Sequence, residues 1–210
     1  MQPRRRHHNP HLPSSVQADW AVELGADDET LEMPWTAEGG APRYYDLKRH
    51  PELLLSLEEA QRVRELGEFL SKANSPKSPL ETAKCDAWPS TEINPEEEIF
   101  EATHKFGSYV DLFFSDLPSR FSFPRHEQLA KRLTNLLQRA PEMPVAAEFL
   151  IRRCYYHEQE EVAEQEEIRD GFYLTFYLFG YGDDEARSRQ NWIIGLKLVQ
   201  NALRQLSRRG

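Results

Sequence analysis

The chain contains 210 residues, of which 39% are hydrophobic and 29% charged, and its formal net charge is −9. This length predicts one domain with a substantial hydrophobic core, whereas the negative charge argues against nonspecific binding to nucleic acids or anionic membranes. No apolar run approaches the roughly 20 residues of a membrane-spanning helix, and no apolar segment follows the N-terminal arginines, as a signal peptide would require. We therefore expect a cytoplasmic protein without a nucleic-acid or membrane partner.

The first 55 residues divide into two parts. Residues 1–18 are polar, basic and aperiodic, which predicts a disordered tail. Residues 19–55 carry rings and aliphatic side chains at irregular spacing, and leaving them in water would be costly. We therefore predict an N-terminal arm that packs on the domain. Its apolar residues are Trp20, Leu24, Leu31, Met33, Trp35, Tyr44 and Tyr45.

Residues 56–210 are predicted to form a single α+β domain that begins with a helix. Ser56 and Glu59 have the spacing of a capping box. Apolar residues then recur on one helical face up to about Ala73. They are Val63, Leu66, Phe69 and Leu70.

Two strand–strand–helix units follow this helix in tandem. The first has strands at 82–88 and 108–114 and a helix from Pro124; the second has strands at 148–155 and 172–178 and a helix from Asp184. Consecutive hairpins with returning helices predict a two-layer α/β sandwich, with an antiparallel sheet and its helices mainly on one face.

Turn and cap residues mark the end of the second unit. The glycines at 180 and 182 are predicted to end the fourth strand, and Asp183 is predicted to cap the last helix. An overlay of the two units matches Cys85 with Cys154, which would place Leu150 and Cys154 toward the helices and Ile151, Arg153 and Tyr155 on the opposite face. Both cysteines are predicted to be reduced, mostly buried thiols, because two cysteines without C-x-x-C spacing match neither a disulfide scaffold nor a zinc site.

Side-chain alternation then predicts a sheet face, turned away from the helices, that mixes rings and charges. Contiguous apolar patches of this kind are uncommon on monomers, so we expect the face to be covered by the N-terminal arm, by a second copy in a homodimer, or by a partner. The predicted face residues are Lys84, Asp86, Trp88, Tyr109, Asp111, Phe113, Arg153, Tyr155, Tyr173, Thr175 and Tyr177.

These features favour a non-enzymatic interaction protein over an enzyme, and no cofactor is predicted. The partner would be a protein that contacts the aromatic-polar face or the acidic hairpin at 158–170, which holds seven acids. Neutralisation of a basic partner, as toxin-immunity proteins perform, would fit the acidic balance.

The alternative is a metal-dependent, phosphoesterase-like hydrolase that uses Lys84, Asp86 and Asp111. The order Lys-Cys-Asp at 84–86 departs from the strand acid followed by Glu/Asp-x-Lys that is usual for such nucleases. No metal site is predicted from the histidines, because His104, His126 and His157 lack ligand spacing.

Overall fold

A computed structural model describes residues 16–34, 44–158 and 167–207, in which the chain has an α+β fold with one six-stranded mixed sheet. Residues 1–15 of the predicted tail, Trp35 of the arm and residues 159–166 of the acidic hairpin lie outside the described residues. The strands are β1 (Gln17–Glu23), β2 (Thr30–Met33), β3 (Leu80–Ser90), β4 (His104–Phe114), β5 (Val145–Glu158) and β6 (Glu167–Gly182). The α-helices are α1 (Glu58–Arg62), α2 (Arg64–Ala73), α3 (Leu117–Arg120), α4 (Phe123–Leu137) and α5 (Glu185–Ser207), and short 3-10 helices lie at Pro51–Ser56 and Pro95–Phe100.

The sheet is mixed rather than antiparallel throughout. Strands β3, β4, β6 and β5 are antiparallel neighbours in that order. Strands β1 and β2 both run parallel to β5 and lie end to end along its outer edge. Residues predicted to lie in the tail or the arm therefore extend the sheet, and β1 begins at Gln17 because its backbone groups pair with the edge of β5.

The main core lies between one face of the sheet and the helices α2, α4 and α5. Strand residues Val110, Phe149, Ile151 and Phe176 are buried there with Trp192. Apolar positions of β4 and β6 face the helices as predicted. The core helix residues include Leu66, Phe69, Leu70, Leu129, Leu133, Leu137, Trp192, Leu196 and Val199.

The predicted phase of β5 is wrong. Ile151 packs in the helix-side core, whereas Cys154 packs on the opposite face. Phe149, Leu150 and Ile151 are all buried, so alternation between apolar and polar residues is absent where the strand is covered on both faces. The overlay of the two units therefore predicts the wrong orientation for the side chains of β5, since it places on each face the residues that lie on the other.

A local irregularity changes the phase of β3. The ladder with β4 shifts register between Thr82 and Cys85. Asn74 holds Thr82 on the helix side, since its amide nitrogen donates to Thr82 Oγ1 at 2.7 Å and its oxygen accepts from the Thr82 N–H at 3.0 Å. Cys85 and Ala87 face the helices as predicted, but Ala83 packs on the other face.

Helix starts differ from the predictions in two places. Ser56 ends a 3-10 helix instead of capping α1, and Val63 adopts an extended conformation that interrupts the predicted single helix. At α5 the cap is Asp184 rather than Asp183, because Asp184 Oδ1 accepts a hydrogen bond of 2.7 Å from the Arg187 N–H.

Strand β6 ends at Gly182, as predicted, but it continues through Gly180. The role of the two glycines is close approach of α5: a Cβ at Gly180 would lie 2.1 Å from the Trp192 nitrogen, and one at Gly182 would lie 2.6 Å from the Ser188 nitrogen. Both cysteines are free and buried as predicted, and they lie on opposite faces of the sheet. Within the described residues, no helix is both long enough and apolar enough to cross a membrane.

Candidate functional site

The sheet face opposite α2, α4 and α5, here called the open face, has described residues packed over both of its ends. At one end Tyr44 and Phe121 pack on a cluster of sheet residues that includes Phe113 and Tyr156, and Arg120 of α3 lies over the Phe113 ring at 4.7 Å. At the other end the 3-10 helix Pro95–Phe100 is fastened to the sheet. The central part of the open face, between these two covers, is the candidate site.

The cover at Pro95–Phe100 is held by a compact polar network. Lys105 Nζ donates to Glu97 Oε2 at 2.8 Å and the Tyr181 hydroxyl donates to Glu97 Oε1 at 2.8 Å. The Phe100 ring stacks on Tyr181 at 4.1 Å. Burial opposes ionisation of Glu97, but these hydrogen bonds outweigh it and lower the pKa of the carboxyl.

Arg152 of β5 organises the polar centre of the open face. Its Nε donates to Glu23 Oε2 at 2.7 Å and its Nη1 donates to Glu29 Oε2 at 2.8 Å. The same Nη1 lies 3.4 Å from both Thr175 Oγ1 and the Tyr177 hydroxyl. Arg152 is only 8% exposed, so Glu23 of β1 and Glu29, in the loop after β1, neutralise a nearly buried cation.

Asp111 is the deepest carboxyl of the site. It is buried and accepts a hydrogen bond of 2.7 Å from the Thr175 hydroxyl. Burial, helped by the nearby Glu29 carboxylate, raises the pKa of Asp111 to about 7, although Thr175, Lys84 and Arg152 favour the ionised form. Asp111 therefore changes its protonation state near neutral pH rather than near pH 4, where an exposed aspartate does.

Tyr173 lies on the same face and is fully buried. Within the described part of the chain, its hydroxyl has no partner at hydrogen-bond geometry. Burial and then the carboxylates of Asp111 and Glu29 raise the pKa of Tyr173. This residue belongs to the interior of the face rather than to its accessible surface.

Trp88, Tyr109, Tyr177 and Phe179 form a partly exposed row of rings, here called the aromatic patch. Neighbouring ring centroids are 6.4 Å apart for Trp88 and Tyr109, 6.0 Å for Tyr109 and Tyr177, and 6.4 Å for Tyr177 and Phe179. Gly107 lies between Trp88 and Phe179 in the ladder, and a Cβ there would be 3.0–3.2 Å from both rings. The glycine thus lets rings from β3 and β6 close over β4 and form a continuous surface.

Carboxylates flank the aromatic patch. The register places Asp86 opposite Tyr109 on one side and Glu148 opposite Tyr177 on the other, with Asp19 beside Glu148. Burial and then the Glu23 and Asp19 charges raise the pKa of Glu148, so the acids at this edge of the face repel one another although Arg152 opposes the shift. Asp86 is ion-paired with Arg62 of α1.

The structure brings together most, but not all, of the residues predicted for the site. Lys84, Asp86, Trp88, Tyr109, Asp111, Phe113, Tyr173, Thr175 and Tyr177 lie on the open face. Arg153 and Tyr155 do not, because Arg153 pairs with Phe172, whose ring contacts Phe123 of α4 on the helix side. Tyr173 and Phe113 lie within the covered end.

Sequence reasoning missed Arg152, Glu148 and Phe179, which belong to the centre of the face. The hairpin register of β5 and β6 identifies two of them, since it pairs Arg152 with Tyr173 and Glu148 with Tyr177. Phe179 lies two residues after Tyr177 and therefore shares its face of β6. The pairing of β5 with β6 could be predicted only from a correctly placed turn between the two strands. Alternation within β5 carries no such information.

Among residues 16–34, 44–158 and 167–207, no group of three or more histidine, cysteine or acidic side chains is arranged to hold a metal ion. Comparison with protein-family models, with curated proteins and with solved structures finds no match to this chain. Proposals about function therefore depend on the geometry and charge of the open face.

Proposed function

We propose that the protein is a non-enzymatic interaction protein whose open face binds a basic protein partner. The observation that carries this proposal is the aromatic patch, a continuous row of partly exposed rings with carboxylates at both ends. Interfaces are enriched in tryptophan and tyrosine, and a patch of this kind on a sheet is a typical contact surface.

The charge distribution supports a basic partner rather than an acidic one. The net charge of the chain is −9, and the acids nearest to the patch include Glu148 and Asp19, both exposed. A cationic protein would be steered to this side and would relieve the repulsion between the carboxylates. Neutralisation of a toxic basic protein in the cytoplasm is the form of this activity that the acidity favours, and the acidic hairpin at 158–170 would add to the same attraction.

Site-specific photocrosslinking in the native host tests this proposal. A benzophenone side chain at Tyr109, in the centre of the patch, should crosslink one basic protein, whereas the same group at Ile194, 39% exposed on α5, should not. Replacing Trp88 and Tyr177 by alanine should abolish the crosslink without unfolding the chain. Identical products from both positions, or a crosslink only to a second copy of this chain, would refute a basic partner on this face; the second result would establish the homodimer instead.

The alternative proposal is a metal-dependent hydrolase built on Lys84, Asp86 and Asp111. Its carboxylates already have partners, since Asp86 pairs with Arg62 and Asp111 accepts from Thr175, so a metal ion would have to displace them. A rise in melting temperature with magnesium or manganese that is lost in Asp111→Asn would favour this alternative over the interaction protein.

We also infer that the sheet and its helices form a two-layer sandwich. We further infer that its two strand–strand–helix units arose by duplication. The order β3, β4, α4 followed by β5, β6, α5 supports this inference. Cys85 and Cys154 lie on opposite faces, so a duplication needs an alignment shifted from the one that matches the cysteines. Related sequences whose two units are more alike would test it.

A further inference from the structure

Tyr109 lies at the centre of the aromatic patch, and its environment indicates what the patch contacts. The Trp88 and Tyr109 rings are tilted by 56° and the Tyr109 and Tyr177 rings by 43°, so neighbouring faces are inclined to each other rather than coplanar. A cation within about 6 Å of a ring centroid is attracted to the ring face. With centroids 6.0–6.4 Å apart, a cation over Tyr109 can also approach a neighbouring ring.

The protein's own cations already pack on this patch. The Arg152 guanidinium lies 5.7 Å from the Tyr177 centroid and Lys105 Nζ lies 5.5 Å from the Phe179 centroid. These contacts occur along the borders of the patch, where the arginine and the lysine are also bonded to carboxylates. The same combination of ring and carboxylate recurs at the exposed centre.

Charge at the two ends of the central row completes the arrangement. Asp86, Tyr109, Tyr177 and Glu148 lie in one cross-strand row, with a carboxylate at each end and two tyrosines between. Glu148 is exposed and is repelled by Glu23 and Asp19. A planar guanidinium can stack on a ring and donate to a carboxylate at once, which an ammonium group cannot do as well.

We propose that the aromatic patch seats an arginine side chain of a basic protein segment, with its aliphatic stem against Trp88, its guanidinium stacked on Tyr109 and Tyr177, and Glu148 accepting its N–H groups. This inference depends on the proposed function and specifies the anchor of the partner. It assigns recognition to rings and one exposed carboxylate, rather than to net charge alone.

A peptide titration tests the arginine seat. The probe is a fluorescein-labelled (Gly-Arg)6 peptide, measured by fluorescence anisotropy at an ionic strength of about 0.1 M, where long-range attraction is screened beyond about 10 Å. The wild-type protein should bind it, and should bind the citrulline peptide (Gly-Cit)6, which is isosteric but neutral, at least tenfold more weakly. Equal binding of the two peptides, or no binding of (Gly-Arg)6, would overturn the arginine seat.

Point variants distinguish the contribution of the rings to peptide binding from that of the overall charge. Trp88→Leu and Tyr109→Leu keep apolar bulk and leave the net charge unchanged, yet should weaken binding about 5- to 30-fold. Glu148→Gln should weaken it about threefold or more. The matched controls are Tyr45→Ala, which removes an exposed ring elsewhere, and Glu127→Gln on α4, which makes the same charge change outside the face. Affinity losses no larger in the ring variants than in these controls would refute the seat.

The Trp88 indole N–H resonance, assigned by its loss in Trp88→Leu, reports on the folded protein directly. It should shift on addition of (Gly-Arg)6 and stay in place with (Gly-Cit)6; no shift would contradict contact with the patch. A basic partner that crosslinks at Tyr109 while the ring variants bind (Gly-Arg)6 normally would refute only the seat. A normal peptide response without any crosslink at Tyr109 would refute the proposed function and leave the seat in place.

Discussion

The Thr175 hydroxyl donates a hydrogen bond of 2.7 Å to Asp111 Oδ1 across β4 and β6, and both side chains are buried. This bond holds a carboxyl group inside the sheet face, where burial raises its pKa from an ordinary value of 3.8 to about 7. The protein thus contains a group that is costly to ionise in the folded state. The free-energy cost of ionising Asp111 in the folded state must therefore appear in the pH dependence of stability.

Asp111→Asn should change how stability depends on pH. Between pH 4 and pH 7 the unfolded chain has released the Asp111 proton while the folded protein still holds it, so raising the pH through this window favours unfolding of the wild type. Asparagine can still accept from Thr175 and cannot ionise. Its stability relative to wild type should rise from pH 4 to pH 8 by up to about 4 kcal/mol.

Urea denaturation at both pH values measures this difference. Asp27→Asn, which changes an exposed aspartate, is the control and should follow the wild type. Parallel profiles for Asp111→Asn and wild type would mean that Asp111 is ionised at little cost in the folded protein.

His126→Gln should act in the opposite direction, at acid pH. His126 is buried against Phe114 and Phe172, and burial lowers its pKa from 6.5 to about 4, although a hydrogen bond between Nδ1 and the Ser122 carbonyl favours protonation. As the pH falls from 6.5 to 4, the unfolded chain binds the proton first and the folded state loses up to about 3 kcal/mol.

The glutamine variant lacks this loss, so its stability relative to wild type should increase as the solution is acidified. Chemical denaturation at pH 7 and pH 4.5 tests the change, with His50→Gln as the exposed control. An unchanged difference between the two pH values would show that the wild-type protein accommodates the charged ring.

The accessible part of the site could be predicted largely from two strands. In β4 and β6 polar and apolar residues alternate, since Val110 and Phe176 face the helices while Tyr109 and Tyr177 face away. Alternation fails in β5, where Leu150 is buried on the open face as well. A strand covered on both sides carries no sequence signal for its phase.

Pairing between strands that are distant in sequence accounts for the remaining differences between the predicted and the observed fold. Residues 17–23 and 30–33, from the predicted tail and arm, add parallel strands beside β5. Polar and apolar residues alternate in both segments, as in Thr30-Leu31-Glu32-Met33, but the irregular spacing over residues 19–55 as a whole concealed this strand signal. The strand that these segments pair with is not visible locally, because the edge of β5 lies 129 residues further along the chain (Gln17 pairs with Ala146), and intrinsic strand propensity is weak compared with such tertiary pairing. Arg152 then acquires its partners Glu23 and Glu29 from that same segment.

Gly180→Ala should destabilise the fold strongly. The added Cβ would lie 2.1 Å from the Trp192 nitrogen and 2.5 Å from the Ser188 carbonyl oxygen, both of which are backbone atoms of α5. The helix would have to move off the sheet, at a cost of about 3 kcal/mol or more. Thermal or urea unfolding should reveal the loss, whereas Gly25→Ala, which meets only the side chain of Asp28, should cost far less. Equal effects of the two substitutions would show that α5 does not pack as closely as described.

Glu97→Gln should loosen the 3-10 helix Pro95–Phe100 and cost about 3 kcal/mol of stability, because it leaves Lys105 nearly buried without its carboxylate. Lys105→Met tests whether that uncompensated charge is the cause. If it is, the double variant should be less destabilised than the sum of the two single variants, because the methionine removes the buried cation while the glutamine retains an acceptor for the Tyr181 hydroxyl. Urea denaturation of the four proteins completes the cycle. Strictly additive losses would mean that Glu97 stabilises the cover through Tyr181 and the Asn94 N–H, rather than through the ion pair with Lys105.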